Sequence, residues 1–88
     1  MTVVKKQGQK EEYSPEKLMR SIKRASEGTG EVIDTNTISV EFYRIVEGKA
    51  FITTRQIDVI VCGLLYTQGL FKTLAAFMSY DEKDKSVF

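Results

Sequence analysis

Residues 3–17 read VVKKQGQKEEYSPEK, and this stretch decides how the chain begins to fold. Val3-Val4 is an apolar pair followed at once by Lys5-Lys6. Gln7-Gly8-Gln9 then marks a tight turn, since Gly8 tolerates the positive φ that such turns require. Lys10 to Tyr13 returns as a second strand, so the expected unit is a short β-hairpin. Ser14-Pro15 opens a helix, with Ser14 accepting from a free first-turn amide and Pro15 suited to the first helical position. Tyr13 and Leu18 flank the cap at the spacing of a hydrophobic staple. Lys17 runs against this pattern. A cation in the first turn meets the positive end of the helix dipole, at a cost of about 0.3–1 kcal/mol, unless an anion binds there.

Outward from this stretch, a first helix is expected from Pro15 to about Glu27. Leu18, Ile22 and Ala25 fall on its buried face, and Arg20, Lys23, Arg24 and Glu27 on its wet one. Gly28 stops it. Gly28-Thr29-Gly30 closes a helix, whereas a dinucleotide fingerprint opens one after a strand, so it is not read as a phosphate loop. Residues 31–48 carry two periods at once. Ile38, Phe42 and Ile45 fit a helix, and Ile38, Val40 and Phe42 fit a strand. Lys49 to Thr53 reads as a short strand. Thr53-Thr54-Arg55-Gln56 forms a capping box, followed by Ile57, Ile60, Val61, Leu64 and Leu65 at helical spacing. Gly69 ends that helix. Leu70, Phe71, Leu74, Phe77 and Met78 make a fourth helix. The Tyr and Phe residues at helical spacing are expected in the core.

The expected class is α+β: a four-helix cluster with a small sheet from the N-terminal β-hairpin, three-stranded if residues 50–53 join it. At 88 residues, with 42% hydrophobic and 28% charged residues, the chain makes one small domain. That domain is expected over 1–85, with 86–88 as a frayed tail. The net charge of +1 conceals a front of +4 over residues 1–24 and −3 over the remainder. A basic front on a near-neutral molecule points to a local anionic ligand more than to a long polyanion. Cys62 stands alone, which excludes an internal disulfide and suits a reducing, cytoplasmic setting. No membrane association is expected, since no apolar run has the length to span a bilayer.

The catalytic inventory is nearly empty. Histidine is absent, and Cys62 has no histidine partner to activate it. Glu11 and Glu12 are neighbours on a strand, so they point to opposite faces and cannot work as a carboxylate pair. No zinc cluster and no P-loop spacing occurs. The expected role is a binding module with neither catalytic residues nor a dedicated metal site. If Lys5 and Lys6 alternate across the strand, one faces the groove beneath the first helix and the other reaches from the rim. Lys17 approaches from the helix start.

Val3, Lys5-Lys6, Gly8, Glu11, Ser14 and Lys17 together resemble the opening of the ATP-cone domain. That family comprises regulatory modules at the front of ribonucleotide reductases and in their transcriptional repressors. The resemblance continues through Phe51-Ile52-Thr53-Thr54 and Leu74-Ala75-Ala76, and it favours a helix from about Thr37 to Glu47. It implies an allosteric domain that binds ATP or dATP, with magnesium accompanying the phosphates. It also implies site roles: Glu11 and Ser14 on the adenine edge, Lys5, Lys6, Lys17 and Thr54 on phosphate or ribose, and Val3 as a wall of the base pocket. Lys83 or Lys85 corresponds to a further basic residue of the family. The implied partner is a catalytic or DNA-binding domain or subunit, or a second copy of the chain.

Four positions depart from the family pattern. Lys6 stands where arginine is commoner, Gln7 replaces an aspartate, and Ser14 replaces a frequent asparagine. Asp58 sits where some members have histidine, and an acid there either repels phosphate or holds a magnesium ion. Without the family, Lys5, Lys6 and Lys10 read as solvated charges guarding a hairpin edge. Two other functions then compete: a nucleic-acid-binding module using the basic hairpin, and a protein-interaction domain docking through its third and fourth helices.

Overall fold

The hairpin forms where the turn chemistry places it. In the computed structural model, which describes residues 1–79, strand β1 (Thr2–Val4) pairs antiparallel with β2 (Lys10–Glu12). The Lys5 carbonyl accepts from the Gly8 amide at 2.8 Å, and the Lys5 amide donates to the Gln9 carbonyl at 2.7 Å. Gly8 holds φ at +85°, a left-handed conformation that a β-carbon would strain. The register sets Val3 opposite Glu11, and Thr2 opposite Glu12. Glu12 reaches the amino terminus at 3.1 Å, while Glu11 projects to the other face, as two successive strand residues must.

Helix α1 (Pro15–Ser26) starts under the Ser14 cap, whose hydroxyl accepts from the Lys17 amide at 3.3 Å. It buries Leu18, Ile22 and Ala25 as expected, and Ser21 with them. Helix α2 (Thr35–Val46) resolves the ambiguous segment as a helix. Asp34 caps it by accepting from the Thr37 amide at 3.1 Å and the Thr37 hydroxyl at 2.7 Å. The helix therefore begins two residues before the expected Thr37, and its buried face runs through Ile38, Phe42 and Val46. Ile45, offered by the spacing, points outward and is 51% exposed.

Strand β3 (Phe51–Thr53) completes a three-stranded sheet in the order β2-β1-β3. It lies parallel to β1, with Val3 beside Ile52 and Val4 beside Thr53. A parallel neighbour needs a long crossover, which α1 and α2 provide. Helix α3 (Thr54–Thr67) follows at once through the expected capping box: Thr53 Oγ1 accepts from the Gln56 amide at 3.1 Å, and Gln56 Oε1 accepts from the Thr53 amide at 3.0 Å. Its C-terminus closes on Gly69 (φ +73°), with the Leu70 amide donating to Leu65 and the Gly69 amide to Tyr66. This pairing satisfies the carbonyls of the last turn and reverses the chain.

Helix α4 (Phe71–Ser79) packs on α1 and α3. Its first amides are capped from far away: Glu31 accepts from Thr73 at 2.7 Å and from Lys72 at 3.2 Å. Partial desolvation pushes the Glu31 carboxyl up, but those amides outweigh it and hold the group below its usual range. The core gathers Val3 and Ile52 from the sheet with Leu18, Ile38, Phe42, Ile57, Leu65 and Phe77 from the helices. Tyr13 stacks on Phe42 with ring centres 5.4 Å apart, and burial pushes its phenol up to about 12. The expectation for aromatics holds for Phe42 and Phe77 and fails for Tyr43, Tyr66 and Phe71, each more than half exposed. Tyr66 and Phe71 meet edge to face across the α3–α4 turn, so they cover each other instead of entering the core. The expected tail at 86–88, the boundary at 85, and Lys83 and Lys85 lie outside the described residues.

Candidate functional site

Val3 and Glu11 are directly opposite in the hairpin, so their side chains leave the same face of the sheet. Val3 points into the core and is 1% exposed, while Glu11 stands at the rim of that face. Lys5, two residues beyond Val3, returns to this face and places Nζ 3.2 Å from Glu11 Oε2. Of the two hairpin lysines expected to alternate, Lys5 is therefore the one turned inward, with a side chain 17% exposed. Lys6 is exposed in the turn itself.

Helix α1 begins soon after β2 and brings Lys17 over the same point. Its Nζ lies 3.2 Å from Glu11 Oε1, so each Glu11 oxygen holds one ammonium. The Lys5 ammonium holds the Glu11 carboxyl below the usual carboxylate range, against a rise from partial desolvation, and Lys17 adds to the effect. The first-turn cation has thus found an anion, one supplied by the chain. Ser14 lies under Lys17 as the helix cap. Thr54 opens α3 directly after Thr53, which is registered beside Val4, so the start of α3 lies alongside the residue where β1 gives way to the turn.

The fold therefore brings Lys5, Glu11, Ser14 and Lys17 to one place and sets Thr54 at the same end of the central strand as Lys5. It leaves Val3 beneath them. An open groove of about 340 Å³ lies elsewhere, between β3 and α3, where Lys49, Arg55 and Val59 are among its lining residues. None of the seven expected site residues lines it. Sequence reading missed the ion-pair role of Glu11, because its two partners come from the start of the hairpin turn and from a helix. The periodicity of charges along one element gives no hint of it.

A family model for the ATP cone domain matches residues 1–86. The chain belongs to the ATP-cone family. An ATP-cone is a nucleotide-binding allosteric regulatory module, not a catalytic one, and the family generally binds ATP or dATP. Comparison with curated proteins finds no match. The three-stranded mixed sheet and four helices agree with the ATP-cone architecture. Among the described residues of this ATP-cone, no helix is long and apolar enough to cross a membrane, and no group of three or more Cys, Asp or Glu side chains is arranged to hold a metal ion.

Proposed function

We propose that this ATP-cone senses ATP or dATP and passes its occupancy to a host, a ribonucleotide reductase or a nucleotide-regulated repressor, in the cytoplasm. The observation that carries this reading is the convergence of Lys5 and Lys17, from two different elements, on one point beside the N-terminus of α1. Two ammonium groups next to a helix start make a phosphate subsite, since the helix dipole adds to the point charges. Lys6 in the adjoining turn and Thr54 at the start of α3 extend that subsite along a phosphate chain. Glu11, once it has left the two lysines, and Ser14 take the adenine edge, and Val3 lies beneath the base.

Magnesium arrives in this reading with the nucleotide, held mainly by phosphate oxygens, as that ion commonly is. Asp58 lies one helical turn past Thr54, and this reading assigns it as the acid that assists the ion. Several charge-assisted contacts at about 1.5–3 kcal/mol each, less the cost of association, bring a complex into the micromolar range. Regulation then requires that nucleotide prefer one assembly state of the host, or of the domain, over another. Isothermal titration with ATP, dATP and GTP, followed by a mass measurement of each sample, tests the proposal. Saturable binding of the adenine nucleotides with weaker binding of GTP is the expected result, and no binding of any of them at millimolar concentration refutes it.

A further inference from the structure

We propose that Glu11 is a built-in competitor for the phosphate subsite: in the nucleotide-free domain its carboxylate occupies the place between Lys5 and Lys17, and a ligand must displace it to bind. This rests on the nucleotide-binding reading of the same site. The geometry is that of an internal ligand. Glu11 presents one oxygen to each ammonium, both at 3.2 Å, as two oxygens of a bridging phosphate would. It is fixed there by the hairpin register opposite Val3, so it competes as a tethered group at high effective concentration. At this cluster the Glu11 carboxylate stands in the gap between the two ammonium groups.

A tethered competitor weakens every anion by the same factor. What it changes is which anions still bind at cellular concentrations. A single phosphate replaces the two contacts Glu11 already makes and gains little, so it drops out of the useful range. A polyphosphate chain keeps further charged oxygens for Lys6 and Thr54 in the adjoining turn and helix start, and it stays within range. Displacement also removes the ion pair that ties β2 to α1, so the change in charge at the site is felt by the contact between hairpin and helix.

The test uses the 88-residue chain and its Glu11→Gln variant, which keeps the side-chain shape and removes the charge. Titration calorimetry with inorganic tripolyphosphate and orthophosphate reads affinity, and thermal unfolding confirms that the variant is folded. The expected result is binding about tenfold tighter for both anions in the variant, the equivalent of two partly exposed ion pairs. In the unmodified chain, saturating tripolyphosphate should return the Glu11 side-chain carboxyl, followed by carbon NMR, to the ordinary carboxylate range. That second measurement decides the matter if the variant does not fold. Unchanged or weaker tripolyphosphate binding in a folded variant, or a Glu11 titration indifferent to tripolyphosphate, overturns the proposal while ATP binding stands. Failure of the unmodified chain to bind ATP overturns the nucleotide reading and this proposal with it.

Discussion

Replacing Lys17 with alanine separates a ligand-binding role from a structural one, because the two predict different magnitudes. The Lys17–Glu11 pair is 3.2 Å long, with side chains 47% and 32% exposed, so water screens much of its attraction. Pairs of this kind contribute about 0.2–1 kcal/mol. Against that loss, removing a cation from the first turn of α1 relieves a dipole repulsion of about 0.3–1 kcal/mol. The two nearly cancel, and the melting temperature of Lys17→Ala should shift by no more than a few degrees, since 1 kcal/mol is worth roughly 4–8 °C in a domain of this size. A charge-assisted contact to phosphate is larger, about 1.5–3 kcal/mol, so ATP affinity should fall about 10- to 150-fold. Calorimetric titration and thermal unfolding on the same sample give both numbers. Full ATP affinity in a folded Lys17→Ala protein would refute the phosphate role. A large drop in melting temperature would show instead that Lys17 holds the hairpin to the helix.

Phe42 is fully buried and stacked by Tyr13, so Phe42→Ala should destabilise by about 3–5 kcal/mol and leave much of the population unfolded, as urea titration by circular dichroism would show. Glu31→Ala removes the acceptor for the Lys72 and Thr73 amides; α4 should lose hydrogen-exchange protection while α2 keeps its own. Acid should weaken the fold, because Glu11, Glu31 and Asp34 have carboxyls held below their ordinary values of 4.5, 4.5 and 3.8. The folded chain binds fewer protons there than the unfolded one, so this stabilisation is present above those values and is lost as pH falls through the lowered ones. The sign reverses for Tyr13, whose phenol is pushed from 10.0 to about 12: its contribution is complete below pH 10 and erodes as pH rises toward 12. A urea midpoint that stays flat from pH 7 down to 3 would contradict the acid limb.

What the sequence made legible was mostly local. The Gly8 turn, the Ser14-Pro15 helix start and the Thr53–Gln56 capping box depend on residues within four positions of one another, and each formed as read. The face of α2 was harder, because Ile45 and Val46 are adjacent apolar residues and only the Asp34 cap and the packing against α3 decide which is buried. Phe71 fits a helical stripe and lies outside the core, its ring set against Tyr66 across the α3–α4 turn. The parallel placement of β3 is likewise non-local: three residues of strand carry no information about which edge they join. At the candidate site, the cations and Glu11 were all identifiable as residues. Their arrangement as two ammonium groups on one carboxylate was not, because it depends on how α1 folds back over the hairpin.

The central strand has a consequence for how this site comes into being. β1 is held on one side by its own hairpin and on the other by a strand about fifty residues downstream, so closing the sheet joins segments separated by two helices. A peptide ending before β3 would contain every cation assigned to the site and have no fixed scaffold on which to aim them. Recognition by this module therefore leans on distant sequence: its charges come from the first seventeen residues, but the strand leading into Lys5 is braced by β3.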